Sequence, residues 1–285
     1  MNVSPPASAP DAAAHLARKA AALDARLAGL GSVIVAYSGG VDSALVAVAA
    51  TRILGSRALC ITADSPSYPE RHRDLAIGVA RAFDLQHEFI RTAEVDRAEY
   101  RANPANRCYY CKHELYTQLT TIARARGFAA VADGSNADDR GDYRPGRQAA
   151  REFGVVSPLD EADLAKDEIR ALAQRAGLSI WDEPASACLS SRIPYHSEVT
   201  PEKLRMIERG ESALHALGFR VCRVRHHDRI ARLEIGRDEM ARAIEPAIAD
   251  AIDRELRAIG YEHIVLDLRG YRSGSLNDAL RLRPV

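Results

Sequence analysis

The sequence has few cysteines, no long apolar run and no excess charge of either sign. Five cysteines among 285 residues are too few, and odd in number, for a disulfide framework. No apolar stretch approaches the ~20 residues that cross a bilayer, and residues 1–6 lack the basic and apolar regions of a signal peptide. The 39 basic and 39 acidic side chains cancel, so no overall field favours nucleic acid or an anionic membrane surface. These absences predict a cytoplasmic protein that holds any anion locally.

The first two thirds of the chain alternate between two hydrophobic patterns. Residues 1–10, rich in Pro, Ala and Ser, are predicted to be a disordered tail. Beyond them, short apolar runs at 33–37, 58–62, 88–90 and 129–132 alternate with helices predicted at 42–54 and near 69–82 and 111–126, and a further helix is predicted to open at Lys166. Strands that alternate with helices predict an α/β fold with a doubly wound parallel sheet.

The pattern changes after Pro194. A helix is predicted at 201–217, strands at 220–226, 230–235 and 262–267, and further helices between 238 and 258. We therefore expect two domains, an α/β domain over 11–192 and a smaller C-terminal α+β domain over 193–285 that serves substrate binding or oligomerisation.

The sharpest motif is the glycine loop, residues 38–43, which reads Ser-Gly-Gly-Val-Asp-Ser between the first apolar run and a helix. Glycines let the backbone approach an anion, and the first helical amides and the helix dipole favour phosphate there. Asp42 is placed to bind Mg²⁺, and the serines add hydroxyl donors. The loop lacks the Gly-Lys-Ser/Thr ending of a Walker A motif. The alternative is an ordinary strand-to-helix turn with a polar cap.

This motif resembles that of the PP-loop ATP pyrophosphatases, an adenine nucleotide α-hydrolase-like superfamily that adenylates substrates and releases pyrophosphate. Residues 61–64 match its adenine-seating strand end, and residues 133–139 are similar to its Gly-Thr-Asn-x-x-Asp signature. Lys166 stands where related enzymes place a lysine that faces phosphate, although a solvated lysine is the alternative. The resemblance implies ATP contacts from Ala36, Ser38, Gly39, Gly40, Asp42, Ser43, Thr62, Ala63, Gly134, Asn136, Asp138 and Lys166.

A second informative stretch, residues 181–194, contains Cys188 in a polar loop flanked by serines and Arg192. A nearby guanidinium favours the thiolate, which is the reactive form of cysteine. The alternative is a small buried apolar residue, which is the usual fate of a free cysteine.

Together with residues 106–112, 134–139 and 223–226, these motifs resemble the LarE-type sacrificial sulfur transferases, which help to build the nickel-pincer nucleotide cofactor of lactate racemase. The resemblance implies that ATP adenylates a carboxylate of pyridinium-3,5-biscarboxylic acid mononucleotide. Cys188 would then displace AMP and give up its sulfur, leaving a thiocarboxylate on the substrate and dehydroalanine in the chain.

Some members of that family hold a [4Fe–4S] cluster on three cysteines. Downstream of Cys188 only Cys222 follows, so we do not expect a cluster unless Cys108 and Cys111 approach Cys188. The pair Cys108 and Cys111 alone cannot complete a tetrahedral zinc site. A structural or helix-start role is favoured for it, with metal or redox use as the alternative.

Arginines in the C-terminal part are candidate ligands for a substrate phosphate. Arg223 and Arg225 alternate on a predicted strand and would share one face. The alternative is a solvated strand face. Ser191 and Arg192 are added by the resemblance.

Two glutamates are candidate metal ligands. Glu211 falls on the apolar stripe of the helix at 201–217, where an unpaired carboxylate is costly. With Glu234 it is predicted to meet either a divalent cation or the face of Arg223 and Arg225, and an ordinary buried ion pair is an equal alternative.

Rival functions make different demands on the sequence. A PP-loop tRNA thiolase needs a basic surface, yet residues 190–285 hold 17 basic and 15 acidic side chains. An amide-forming synthetase would not need Cys188, and a nucleotide sensor would release no pyrophosphate. We therefore expect ATP, Mg²⁺ and a nucleotide-like carboxylate as ligands, no nucleic acid or membrane partner, and a homo-oligomer.

Overall fold

The computed structural model describes residues 9–141, 144–184, 187–272 and 274–277. Within them the helices are α1 (Ala9–Leu30), α2 (Val41–Leu54), α3 (Glu70–Ala82), α4 (Ala98–Arg101), α5 (Arg107–Arg126), α6 (Gly146–Glu152), α7 (Pro158–Glu161), α8 (Lys166–Arg175), α9 (Pro201–Ala216), α10 (Met240–Ala243) and α11 (Pro246–Ile259). The strands are β1 (Val33–Ala36), β2 (Ala58–Asp64), β3 (His87–Arg91), β4 (Ala130–Ala132), β5 (Cys222–His227), β6 (Ile230–Ile235) and β7 (His263–Leu266).

The described residues form two compact units. The first comprises residues up to Asp64, Arg71–Thr92 and Lys112–Glu183. The second comprises Ser65–Glu70, Ala93–Cys111 and the described residues from Pro184 onward. These units do not follow the predicted ranges one for one, because two short segments from the first half of the chain pack with the second unit. The ranges 11–192 and 193–285 stay a prediction about domains.

The first unit is built on a four-stranded parallel sheet of order β3-β2-β1-β4. Its central strand β1 is buried along its whole length, which explains its unbroken apolar sequence. The chain passes from β1 to β2 and β3 on one side and returns to place β4 on the other. The carboxyl ends of β1 and β4 therefore form a topological switch point, where open α/β sheets bind ligands.

The second unit is built on a three-stranded mixed sheet of order β5-β6-β7, in which β5 and β6 are antiparallel and β6 and β7 are parallel. Helix α9 begins cleanly, since the Thr200 side chain accepts a hydrogen bond from the Lys203 amide and Pro201 fills the first position. The predicted combination of a doubly wound parallel sheet and a separate α+β part is confirmed.

Two differences between the predicted and the observed element ends concern residues with a predicted role. Of the tail predicted at 1–10, residues 1–8 lie outside the described ranges, and α1 already includes residues 9 and 10. Helix α5 begins at Arg107 rather than at 111, so Cys108 and Cys111 occupy its first turns. In the ranges that the structure covers, no helix combines the length and apolar character that a membrane span requires.

Candidate functional site

The glycine loop joins β1 to α2 in the first unit. Gly39 has a φ of +73°, and a Cβ there would lie 2.9 Å from the His72 carbonyl oxygen, so the position requires glycine. The Ser38 amide donates to Ser43 Oγ at 3.1 Å, and Ser43 Oγ donates to the Gly40 carbonyl at 3.0 Å. The loop thus closes on itself at the start of α2, where the first helical amides have no intrahelical partner.

A second loop, residues 134–139, follows β4 and packs on the glycine loop. A Cβ on Gly134 would lie 2.7 Å from the Ser43 nitrogen, so only glycine permits this approach. The Asn136 side-chain amide donates from Nδ2 to Asp42 Oδ2 at 3.2 Å. The Lys166 amide donates to Asp138 Oδ2 at 2.7 Å. Four separately predicted nucleotide contacts therefore come together around Asp42.

Asp42 is half-buried in this arrangement. Burial raises the pKa of its carboxyl above the ordinary value, although the positive charge of Lys166 opposes the rise and the Asp139 carboxylate adds to it. A carboxylate in such surroundings is stabilised by a cation, and Mg²⁺ prefers oxygen ligands of this type. The residues present thus fit the Mg²⁺ that accompanies ATP.

The predicted adenine end is only partly available. Ala36 and Thr62 are buried, while Ala63 at the end of β2 is half-buried. Thr62 Oγ1 donates to the Tyr37 carbonyl at 2.7 Å and lies 2.8 Å from His87 Nε2, which must then be the donor to it. The Thr62 hydroxyl is occupied by these two hydrogen bonds, so Thr62 can offer a base only its main-chain atoms.

The cysteine segment, residues 187–192, lies in the second unit, and residues 185 and 186 of its motif lie outside the described residues. Two buried arginines hold it. Arg192 Nη1 donates to the carbonyls of Ala187 and Cys188 at 2.7 and 3.1 Å. Arg107 Nη2 lies 4.0 Å from the half-buried Cys188 sulfur, and its Nη1 donates to the Ser190 carbonyl at 2.8 Å.

A second arginine joins the predicted one at the sulfur. Arg192 was predicted to favour the thiolate. Burial alone would lower the pKa of Arg192, but Glu211 raises it and Cys188 contributes to the rise. The hydrogen bonds of Arg192 go to the main chain and to two side chains, whereas Arg107 reaches the sulfur. Sequence reasoning named Arg107 only as part of the 106–112 motif. A contact across 81 residues leaves no local pattern that could have revealed it.

The predicted phosphate ligands and metal ligands pair with each other. Arg192 Nε and Nη2 donate to the two Glu211 oxygens at 2.8 and 2.9 Å. Burial alone would raise the pKa of Glu211, but the charge of Arg192 holds it below the ordinary value. Arg225 Nη2 donates to Glu234 Oε2 at 2.7 Å. The alternative of buried ion pairs is what the structure shows for both glutamates.

Metal binding by Glu211 and Glu234 gains no support. Among the residues that the structure describes, no group of three or more His, Cys, Asp or Glu side chains is arranged to hold a metal ion. The same finding applies to an iron–sulfur cluster, so we derive no step through one.

Arg223 and Arg225 are both buried, so they do not form a solvated strand face. Burial, together with repulsion from Arg192, lowers the pKa of Arg223. Its guanidinium also lies over the Tyr271 ring, 5.1 Å from the centroid. The Arg225 Nη1 donates to the Ser191 carbonyl at 2.7 Å, which ties the cysteine segment to β5. Positive charge thus concentrates beside residues 187–192.

Cys108 and Cys111 lie in the same compact unit as Cys188. Burial lowers the pKa of Arg107, but the Cys188 and Cys108 thiols raise it. Burial raises the pKa of Tyr100, and the Cys188 and Cys111 thiols raise it further. Cys108 and Cys111 thus lie near groups that also surround Cys188, but among the described residues no three such side chains are arranged to hold a metal ion, and the expectation about a cluster stays a prediction. Cys222 is different, because burial raises its pKa to about 12 and makes it unreactive.

Comparison with known proteins gives a consistent result, although no protein-family model matches the sequence. An uncharacterised protein of Synechocystis is 43% identical over 251 residues, which cover 88% of this chain and 94% of that protein. The pyridinium-3,5-bisthiocarboxylic acid mononucleotide synthase of Lactiplantibacillus plantarum is 37% identical over 94% of this chain and 96% of its own length. A tRNA-specific 2-thiouridylase of Streptomyces griseus is 31% identical over only 54% of this chain and 51% of that protein.

Proposed function

This chain belongs to the family of the pyridinium-3,5-bisthiocarboxylic acid mononucleotide synthases, and on that premise we propose that Cys188 is the sulfur donor of an ATP-dependent transferase in nickel-pincer nucleotide synthesis. The observation that carries the proposal is a half-buried cysteine in a segment held by buried guanidinium groups, with one of them at the sulfur. The substrate is a carboxylate of pyridinium-3,5-biscarboxylic acid mononucleotide.

The first unit would carry out the activation. The glycine loop receives the pyrophosphate end of ATP on the amides at the start of α2, and Gly134, Asn136, Asp138 and Lys166 complete the wall around Asp42. Asp42 would hold Mg²⁺, which when bound neutralises phosphate charge. The carboxylate displaces pyrophosphate and becomes an acyl-adenylate.

The second unit would carry out the transfer. The Cys188 thiolate attacks the acyl carbon, the bond to AMP breaks, and a thioester forms. Loss of the α-proton of residue 188 and cleavage of its Cβ–S bond then leave dehydroalanine. The sulfur departs as a thiocarboxylate, so the sequence of steps needs no oxidant or reductant.

Arg223 is the principal ligand for the substrate phosphate in this proposal, with Ser191 and Arg225 as further ligands. Arg225 would have to exchange a present partner for the phosphate, because Glu234 and the Ser191 carbonyl accept from its Nη atoms. Arg192 has a different role in this proposal, because Glu211 and the carbonyls of the cysteine segment already occupy its donors. It fixes the main chain at Cys188. The cytoplasm as compartment and a homo-oligomeric state remain predictions.

Intact-protein mass spectrometry tests this proposal directly. After incubation with ATP, Mg²⁺ and the biscarboxylated pyridinium nucleotide, the wild-type chain should lose one H₂S equivalent at position 188. The matched control Cys188→Ala should release pyrophosphate but keep its mass, whereas Cys222→Ala, which removes a buried thiol, should behave as wild type. Unchanged wild-type mass together with steady pyrophosphate release would contradict sacrifice of Cys188.

The neighbouring thiols favour a second candidate, in which sulfur comes from an external donor and Cys188 is regenerated. Cys108 is exposed and Cys111 half-buried, so both are open to such a donor. Repeated turnover with added sulfide and an intact Cys188 would support this version, and Cys108→Ala/Cys111→Ala should then stop turnover. Iron and labile-sulfide analysis of the purified protein shows whether a cluster takes part.

The two other candidates receive less support. The tRNA thiouridylase relatives match only about half of this chain, and the C-terminal charge is nearly balanced. An amide-forming synthetase would consume ammonia and tolerate Cys188→Ala, which the same mass measurement reveals.

A further inference from the structure

Arg107, in the first turn of α5, is a buried cation whose environment differs from that of Arg192 and Arg225. Only 3% of the residue is exposed. One guanidinium nitrogen, Nη1, donates to the Asn103 side chain and to the Ser190 carbonyl, and the other, Nη2, lies 4.0 Å from the Cys188 sulfur. The Tyr100 ring lies below it, with its centroid 5.9 Å from the guanidinium carbon.

No carboxylate compensates this charge within the described residues. Arg192 has Glu211 and Arg225 has Glu234, yet Arg107 forms an ion pair with no described acidic residue. Its Nε is also buried without a hydrogen-bond partner in the described ranges. A guanidinium that is buried without an anion is costly, so the fold keeps this charge where an anion is expected.

The groups that face Arg107 identify that anion. They are the Cys188 and Cys108 thiols and the phenols of Tyr100 and Tyr195, all of which are weak acids. Burial alone would lower the pKa of Arg107, but these groups, with Cys188 foremost, raise it above the ordinary value. Tyr100 is fully buried and bonded to Ser190 Oγ at 2.6 Å. The half-buried Cys188 sulfur lies 4.0 Å from Arg107 Nη2, and this contact makes it the candidate anion.

We propose that Arg107 is a catalytic residue that stabilises negative charge on the Cys188 sulfur. This inference rests on the proposed function. The Cys188 proton passes to water, and Arg107 stabilises the thiolate that attacks the acyl-adenylate as AMP leaves with the electron pair. When the Cβ–S bond later breaks, the electron pair moves to the same sulfur, so the same guanidinium faces the developing thiocarboxylate.

Step-resolved kinetics separate this role from ATP activation. In single-turnover reactions, Arg107→Gln should release pyrophosphate within about twofold of the wild-type rate but lose sulfur from position 188 about 100-fold more slowly, as when one charge-stabilising donor is removed. Arg107→Lys should recover part of the rate. Arg205→Gln, an exposed arginine on α9 paired with Glu202, is the matched control and should change neither step.

A second readout does not need substrate. The rate of alkylation of Cys188 by iodoacetamide, followed by peptide mass spectrometry at neutral pH, should fall about tenfold in Arg107→Gln. In urea the same peptide should react equally in all variants. Wild-type alkylation and sulfur-transfer rates in folded Arg107→Gln would overturn the proposal. If that variant does not fold, Arg107→Lys decides, because its shorter side chain should slow alkylation about fivefold, and an unchanged rate overturns the proposal.

The two proposals fail in distinguishable ways. If the wild-type chain releases no pyrophosphate and loses no sulfur with the nucleotide substrate, the proposed function fails, whereas the alkylation rates still report on Arg107. If sulfur transfer occurs and is insensitive to Arg107, only the catalytic role of this arginine fails.

Discussion

The glycine loop and the cysteine segment are both suited to stabilise negative charge, but they use different chemical groups. The glycine loop uses main-chain amides at the junction of β1 and α2, and its neighbours approach because Gly39 and Gly134 lack side chains. The cysteine segment uses guanidinium groups from residues 107, 192 and 225, which arrive from different parts of the sequence.

This difference has an energetic consequence. Main-chain amides at a helix start carry partial charges that the fold orients without burying an ion. A guanidinium buried without an anion is costly, and the second unit pairs Arg192 with Glu211 and Arg225 with Glu234. We therefore expect the glycine loop to be sensitive to substitutions that add side-chain volume, and the cysteine segment to substitutions that remove a charge.

The largest effect is expected from Glu211→Ala. It leaves Arg192 buried without its counter-charge, and loss of one partner of a buried pair costs about 3–5 kcal/mol of unfolding free energy. Calorimetry combined with hydrogen exchange over residues 187–235 should locate the loss in the second unit. The double variant Arg192→Met/Glu211→Leu should recover much of the stability, and a single variant as stable as wild type would contradict the argument.

The next effect concerns the close packing of residues 134–139 on the glycine loop. Gly134→Ala places a Cβ 2.7 Å from the Ser43 nitrogen, so the loop must shift and ATP affinity should fall about tenfold to a hundredfold. Equilibrium dialysis with ATP and Mg²⁺ measures this. Gly78→Ala is the control, since a Cβ there meets nothing within 4 Å. Equal affinities in the two variants would show that the close packing does not matter for binding.

A smaller effect concerns Glu208 on α9, in the unit that holds the cysteine segment. Burial raises its pKa to about 7, so between pH ~4.5 and about 7 the native state holds a proton that the unfolded state has released. Its contribution to stability is therefore complete below pH ~4.5 and is lost as pH rises from there to about 7. Glu208→Gln should match wild type in Tm at pH 5 and exceed it at pH 8. A constant Tm difference between the two proteins across this range would count against the prediction.

The smallest effect sets the scale for a pair outside both sites. Asp253 and Arg257 form an exposed ion pair one turn apart on α11, at 2.8 Å. Asp253→Asn should cost only about 0.3–0.5 kcal/mol, measured by urea denaturation, because water and salt screen exposed charges. A loss as large as that of Glu211→Ala would remove the distinction between buried and surface pairs.

Much of the first unit could be predicted from the sequence. The four apolar runs became β1 to β4, and the predicted helix starts near Val41 and Lys166 were found there. The motifs at strand ends named Asp42, Asn136, Asp138 and Lys166 as ATP ligands. The structure brings Asn136 to Asp42 and the Lys166 amide to Asp138, whereas their contact with ATP stays a prediction. Such predictions succeed because carboxyl ends of parallel strands meet at one edge, so sequence order already brings these loops together.

The cysteine segment was predictable only in part. The sequence pointed to Cys188 and to the cost of a carboxylate at Glu211. It named Arg192 as the cation near the sulfur and left open whether Cys108 and Cys111 approach it. Helix α5 starts at Arg107, four residues earlier than predicted, and residues 93–111 belong to the second unit. Nothing in the periodicity of residues 104–111 fixes that start.

The sequence by itself determined the elements, the strand-end loops and the family, because periodicity, glycines and caps act over a few residues. The tertiary structure alone decided which arginine reaches the Cys188 sulfur, which thiols lie in the same unit as Cys188, and which guanidinium neutralises Glu211. The physical reason is that burial sets the cost of every charge, and burial is a property of packing between segments far apart in sequence, such as Arg107 and Cys188, which are 81 residues apart.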